Sequence, residues 1–291
     1  MLNFECLGDE RQTLAEGPVW CPREQALYWV DIRRPTLHRY VAATRKVETW
    51  PMPDLIGSLA VRQQGGLLVA LRNGLSIVDP KTGYAEPFVS LEDDQPENRS
   101  NDGKCDRRGR FWVGTIHNTK PGTPVGALYR IDASRRVARM AGDIGIPNSI
   151  AWSPDDRTMY FADTAKRTIF AYSFDIDSGD IRDRRVFAEF PQDGGAPDGS
   201  TVDADGFLWN AVYGAGRLHR YAADGRLDRV VKMPMSQPTS CAFGGPAFDV
   251  LYVTSAAQNL SAERLAREPY AGAIIAVDVG VKGLPEPYYA G

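Results

Sequence analysis

Histidine and cysteine are scarce: three histidines and four cysteines are spread over 291 residues. The cysteines, Cys6, Cys21, Cys105 and Cys241, form no CxxC pair, which argues against a zinc site built from them. They read as free thiols of a cytoplasmic protein, since disulfides rarely persist in that compartment. No GxSxG elbow is present, which argues against a serine hydrolase of that class. No run approaches the roughly 18 apolar residues of a membrane span, so no membrane partner is expected. The opening MLNFECLGDE lacks the basic region and apolar core of a secretory signal. Positive charge is not in excess either. The net charge is −3 and the sequence pI about 5.7, which gives a nucleic-acid partner no electrostatic support.

Helical patterning is also nearly missing, confined to SAERLAREP at 261–269. What fills the chain is short runs rich in Val, Ile, Tyr, Phe and Trp, such as ALYWVDI, RFWVGTI and FLWNAVY, punctuated by Gly, Pro, Asp and Asn. Such runs are strands and the punctuation is turns. SNDGKCDRRGRFWVGT (100–115) and PDGSTVDADGFLWNAV (197–212) align without a gap, placing Asp203 on Asp106 and Trp209 on Trp112. EGPVWCPREQALYW (16–29) aligns likewise with NSIAWSPDDRTMYF (148–161), and GSLAVRQQGGLLVA (57–70) and TSCAFGG (239–245) share the frame. The repeats start at Glu16, Gly57, Asn101, Asn148, Asp198 and Thr239, at spacings of 41, 44, 47, 50 and 41 residues. A repeat of about 40 to 50 residues holding four strands is a propeller blade. The expected fold is all-β, a six-bladed β-propeller of four-stranded antiparallel blades around a central channel, occupying residues 1–291 as one domain. Residues 2–8 are expected to supply an outer strand to the last blade and close the ring.

The first strand of a blade lines the channel, so the six starting residues should form a ring there. Two carboxylates and two amides converge in it, with no Lys or Arg among the six. Carboxylates gathered in this way repel unless a cation sits among them. Oxygen donors of this kind suit Ca²⁺, Mg²⁺ or Mn²⁺ and can serve Zn²⁺ or Fe²⁺. The preferred ligands of one divalent ion are Glu16, Asn148 and Asp198. The alternative is that these residues only hydrogen-bond the turns at strand starts. Prolines 147, 197 and 238 precede three ring positions and fix the backbone entering the strand.

AEGPVW (15–20), NRSNDGKCDRRGRFWVGT (98–115), IPNSIAWSPD (146–155), PDGSTVDADGFLW (197–209) and TSCAFGG (239–245) resemble the SMP-30/gluconolactonase/luciferin-regenerating family over nearly the whole chain. The resemblance implies the same metal ligands, Glu16, Asn148 and Asp198, and adds Arg99 and Asn101 as substrate-binding residues. Two departures stand out. The family's usual Asn-Gly is Asn148-Ser149 here, and the loop HNTKPGTPVG (117–126) lacks the Glu that some members direct at sugar hydroxyls.

The resemblance implies hydrolysis of a sugar lactone to the aldonic acid. A divalent metal polarises the carbonyl and activates water. Asp198 is the candidate general base, or a ligand alone. Arg99 offsets developing charge, and Asn101 orients sugar hydroxyls or a bound water. His117 is the best placed of the three histidines to act on substrate, as an alternative base; His38 and His219 share no repeat position with it. The other readings are a calcium-binding regulatory propeller without catalysis and an aryl-ester or organophosphate hydrolase. The expected partner is a small-molecule sugar lactone, and the expected assembly a monomer or weak oligomer. The six tryptophans are expected between blades, DIDSGD (175–180) in a hairpin turn, and the pairs Arg33-Arg34, Arg107-Arg108, Arg135-Arg136 and Arg184-Arg185 in solvated turns.

Overall fold

The computed structural model of the chain describes residues 2–291. After a short N-terminal strand, β1 (Phe4–Cys6), the first blade is β2 (Ala15–Cys21), β3 (Ala26–Asp31), β4 (Thr36–Val41) and β5 (Lys46–Pro51). The second is β6 (Ile56–Val61), β7 (Leu67–Leu71), β8 (Gly74–Val78) and β9 (Ala85–Ser90). The third is β10 (Asn98–Cys105), β11 (Phe111–His117), β12 (Gly126–Ile131) and β13 (Val137–Ile144). The fourth is β14 (Pro147–Trp152), β15 (Thr158–Asp163), β16 (Thr168–Phe174) and β17 (Ile181–Glu189). The fifth is β18 (Ala196–Val202), β19 (Leu208–Tyr213), β20 (Arg217–Tyr221) and β21 (Leu227–Lys232). The sixth is β22 (Pro238–Gly244), β23 (Val250–Ser255) and β24 (Ile275–Val277), and it takes β1 as its outer strand.

Each blade is a four-stranded antiparallel sheet, and each inner strand contacts the inner strands of both neighbouring blades, from β22 round to β2. This is a six-bladed β-propeller. Its ring is closed by β1 on β24, with Phe4 opposite Val277 and Cys6 opposite Ile275. The pairing covers the outer edge of β24 and joins the two ends of the chain in one sheet.

The core is divided among six seams, one between each pair of adjacent blades. Strand alternation explains this: successive side chains point to opposite faces, and both faces of a blade meet a neighbour. Leu208 packs into the seam toward blade four, and Trp209, the next residue, into the seam toward blade six. Trp20, Trp29, Trp112, Trp152 and Trp209 are buried in seams, whereas Trp50 lies half-buried on the outer strand β5.

The repeated Asp has a shared task. Asp203 is fully buried and accepts from the backbone N–H groups of Asp205 and Phe207, from Trp209 Nε1 at 2.8 Å and from Arg220 Nε at 2.8 Å. Asp106 accepts from the N–H groups of Arg108 and Arg110, from Trp112 Nε1 at 2.9 Å and from Arg110 Nε at 2.7 Å. One carboxylate therefore closes the turn between the first two strands and satisfies the seam indole.

Helix α1 (Ala262–Arg267) falls where the helical pattern lies and is N-capped by Ser261. DIDSGD forms the turn between β16 and β17, where Asp175 accepts from Asp177 and Ser178. One expectation is corrected. Arg184 and Arg185 lie within the outer strand β17 rather than in a turn, exposed because nothing packs outside that strand. Among the described residues no helix is long and apolar enough to cross a membrane. All four cysteines are free thiols.

Replacing Asp203 with Ala strands a buried guanidinium and an indole, and is expected to cost about 3–5 kcal/mol in equilibrium urea unfolding. Replacing its exposed neighbour Asp205, which also pairs with Arg220, should cost less than about 1 kcal/mol. Equal costs would remove the role assigned to the repeated Asp.

Candidate functional site

All six ring residues stand on inner strands, near their first residues. A β-bulge interrupts every inner strand at this point, between Glu16 and Val19, Ile56 and Ser58, Ser100 and Gly103, Asn148 and Ala151, Pro197 and Ser200, and Pro238 and Ser240. Bulges bend a strand and re-aim its side chains, which turns these positions away from the ordinary alternation. Two bulges use the left-handed region: Gly17 has φ 56° and Ser149 has φ 57°. Gly57 has a different reason. A Cβ there would lie 2.6 Å from the carbonyl oxygen of Ser100, so blade three leaves no room for a side chain.

Asn101, Asn148 and Asp198 are buried, and a directed chain of hydrogen bonds runs from Arg99 through Asn101 and Asn148 to the carbonyl before Asp198. Arg99 Nη1 donates to Asn101 Oδ1 at 2.8 Å and to the Ser100 carbonyl at 2.7 Å. Asn101 Nδ2 donates to Asn148 Oδ1 at 3.0 Å and to the Pro147 carbonyl at 2.9 Å. Asn148 Nδ2 donates to Thr164 Oγ1 at 2.8 Å, and Thr164 Oγ1 donates to the Pro197 carbonyl at 2.6 Å. Asp198 follows Pro197 directly, so the chain ends at the strand start that carries this acid.

The acids are crowded. Removal from water raises the Glu16 carboxyl well above the usual range, and the charges of Asp198 and Asp102 add to the effect. Asp198 is raised well above the usual range by burial and then by Asp102. Burial also raises Asp102, opposed by Lys104 and by the N–H groups of Ile150 and Gly103. Glu16 Oε2 accepts only from the N–H of Gly17, at 3.3 Å, among its recorded hydrogen bonds. Among the described residues no three or more His, Cys, Asp and Glu side chains cluster as metal ligands. Asn148 Oδ1 is a neutral oxygen donor at the ring position of blade four. Arg99 is 5% exposed, burial holds its guanidinium below the usual range at about 10, and its buried Nε has no partner.

Asp102, Lys104 and Thr164 are additions that sequence reasoning missed. Asp102 follows the ring position of blade three, and regular alternation would turn it away; the bulge brings it toward the other acids. Lys104 Nζ donates to the Ser200 carbonyl at 2.9 Å and to Glu286 Oε1 at 3.0 Å. Glu286 belongs to a C-terminal strap whose Gly283 bridges to Asp203 and whose Tyr289 bridges to Arg62.

The histidines separate. His117 ends β11, and its Nδ1 accepts from the backbone N–H of Lys120 at 3.3 Å, so its recorded contact is with its own loop. His38 stacks on Trp29 at 5.1 Å and bonds Thr36 and Thr49. His219 stacks on Phe190 at 5.6 Å and bonds the Tyr221 hydroxyl. Both are seam residues on third strands, away from the channel.

A six-bladed propeller whose inner strands start in acids and amides defines a class of channel-site proteins. The chain matches the model of the SMP-30/Gluconolactonase/LRE-like region over residues 14–257. It is 38% identical over 290 residues to 6-deoxy-6-sulfogluconolactonase of Pseudomonas putida, covering 99% of each chain. It is 38% identical over 288 residues to L-arabinolactonase of Azospirillum brasilense, covering 98% of this chain and 95% of that one. The solved structure of a calcium-binding protein, regucalcin, from Agrobacterium tumefaciens superposes with a TM-score of 0.95 at 33% identity, over 100% of this chain and 98% of that one. The chain belongs to the SMP-30/gluconolactonase/LRE-like family.

Burial lowers His38 and His219 from about 6.5 to about 4. Between those values the unfolded chain takes up protons that the folded one refuses, so these two residues make stability fall as pH falls through that window. Ring-nitrogen NMR titration should show both neutral down to about pH 5. A midpoint near 6.5 for either would contradict the seam assignment.

Proposed function

We propose that this chain is a divalent-cation-dependent sugar lactonase that opens an aldonolactone to its aldonic acid. The observation that carries the reading is the ring itself: Glu16, raised by burial and by the charges of Asp198 and Asp102, and Asp198, raised by burial and by Asp102, with Asn148 and with Arg99, whose buried Nε has no partner. Similarity to a 6-deoxy-6-sulfogluconolactonase and an L-arabinolactonase supports a sugar lactone as the small-molecule substrate. We place the chain in the cytoplasm, which suits four free thiols, and take the propeller to work as one domain.

The donor set fits a hard cation. Two carboxylates that do not bond a Lys or Arg, with an amide oxygen between blades, favour Ca²⁺, Mg²⁺ or Mn²⁺ and tolerate Zn²⁺ or Fe²⁺. Glu16, Asn148 and Asp198 would hold the ion. When bound, a divalent ion polarises the lactone carbonyl and makes water more acidic.

The rest is the work of side chains. Asp198 takes a proton from the attacking water and returns it to the ring oxygen as the acyl bond breaks. A carboxylate beside the reacting atoms can accept the proton in the first transfer and return it in the second. Arg99 offsets the charge that the carbonyl oxygen gains. Asn101 has its carbonyl occupied by Arg99 and its amine by Asn148 and Pro147, so it acts on substrate chiefly by orienting those neighbours. His117 borders the mouth and is the candidate for sugar hydroxyls. The calcium-binding regucalcin relative favours one second reading, ion binding without turnover.

The test is acid release from a panel of aldonolactones by EDTA-treated protein, with Ca²⁺, Mg²⁺, Mn²⁺, Zn²⁺ or Fe²⁺ restored singly. Turnover should return with at least one ion. Asp198→Ala should lower kcat by about 10²–10⁴-fold, and Glu16→Gln should raise the ion concentration needed for half-maximal rate. Ion binding without acid release from any lactone would favour the second reading.

A further inference from the structure

No strand of one blade is laddered to a strand of the next among the described residues. Glu16, Asn148 and Asp198 stand on three different sheets; apart from backbone bonds between blades six and one just before Glu16, where Leu14 pairs with Ala256 and the N–H groups of Ala257 and Gln258 donate to the Thr13 carbonyl, side chains tie their strand starts to the blade before. The carbonyl immediately before each of these residues is held by a side chain of the preceding blade. Ala15, before Glu16, accepts from Thr239 Oγ1 at 2.6 Å. Pro147, before Asn148, accepts from Asn101 Nδ2 at 2.9 Å. Pro197, before Asp198, accepts from Thr164 Oγ1 at 2.6 Å. Asp198 is held a second time, because its own carbonyl accepts from Ser149 Oγ across the same seam and from Asn210 Nδ2 at 2.9 Å. Ser149, Ser200 and Asn210 interlock there, with oxygens 2.9 Å apart and the amide 3.0 Å from each hydroxyl.

Resting on the reading above, we infer that Thr164, Thr239 and Ser149 are positioning residues of the ion site. Their hydroxyls donate to backbone carbonyls of the next blade. They hold the strand starts that carry Glu16 and Asp198 at a fixed distance from the blade before. Groups that orient metal ligands commonly change affinity by about 10–100-fold when removed. Thr239 thereby gains a task at a ring position that supplies no ligand. Ser149 replaces a glycine at φ 57° and returns a hydroxyl to the seam.

Thr164→Val, Thr239→Val and Ser149→Ala remove the hydroxyls with little change of shape. Mn²⁺ binding to the full-length protein, followed by calorimetry and by the EPR signal of free Mn²⁺, should weaken about tenfold or more in each. Thr164→Ser, which keeps the hydroxyl, should return the Kd to within about threefold of the parent. A merely structural role would lower Tm and leave Kd within about twofold in all three, and that result would overturn the inference. If the parent chain binds none of Mn²⁺, Ca²⁺, Mg²⁺, Zn²⁺ and Fe²⁺ by calorimetry, the ion reading fails on its own and the ion-free protein decides the rest. Amide exchange over residues 196–199 should then be faster in Thr164→Val than in the parent, with 56–59 unchanged. Equal exchange would sink the positioning role.

Discussion

The carbonyl of Pro197 can only accept a hydrogen bond, and that fact sets the direction of every bond leading to it. Thr164 must donate to it, so the Thr164 oxygen must accept, and Asn148 must turn its amine toward blade five. Asn148 Oδ1 is then left facing Asn101, which must present its own amine, since the Pro147 carbonyl beside it also only accepts. Asn101 Oδ1 is left for Arg99. Amide orientations are ordinarily assigned by satisfying such networks; here the two proline carbonyls leave one solution. The consequence is chemical: the oxygen of Asn148, not its N–H, is the end turned toward Asn101, and that oxygen can accept a second partner. With the amide reversed, the ring would present a donor between two carboxylates and would suit an anion better than a cation.

The charge arrangement along the channel points the same way. Lys104 and Glu286 form an ion pair and largely cancel. Above them stand Asp102, Glu16 and Asp198. Arg99, the nearest guanidinium in the ring strands, spends its bonds on the Ser100 carbonyl and Asn101 and does not bond either ring acid. Had Arg99 paired with Glu16, the acids would be neutralised within the protein. Burial raises all three carboxyls, and neighbouring acids add to the effect at Glu16 and Asp198.

How much of this was legible in the sequence depends on whether a residue answers to the repeat or to its neighbours. The blades were legible because each seam needs the same apolar alternation, and the Asp–Gly–Trp sentence because one carboxylate must close a turn and satisfy an indole in two blades. The ring residues were legible as departures from that sameness. Asp102 was hidden because a bulge, invisible in a single sequence, turns it toward the channel. Thr164 was hidden because it lies beyond β15, outside the repeated frame, and matters only through the carbonyl it meets in the next blade. The strap carrying Glu286 follows the last repeat and has no counterpart to be compared with. Arg184 and Arg185 misled for the opposite reason: charges that mark a turn in an inner strand are at home in an outer one, where one face meets water.

Ser149 shows how local cost and long-range order are traded. A left-handed backbone costs a side-chain-bearing residue about 1–2 kcal/mol relative to glycine, and Gly17 at the matching bulge avoids that cost. Its Cβ, if present, would meet Ser58 at 3.5 Å and the Gly57 carbonyl oxygen at 3.9 Å, both ordinary contacts, so lack of space does not explain the glycine there. The difference lies across the seam. At blade four the hydroxyl finds the Asp198 carbonyl, Ser200 and Asn210 already converging, and a buried hydrogen bond contributes about 1 kcal/mol net. The strain is thus offset by a network centred on the backbone of Asp198, the acid at the ring position of blade five. A glycine in its place would relax its own strand and release that carbonyl, so the serine stabilises the relation between two blades at the expense of one.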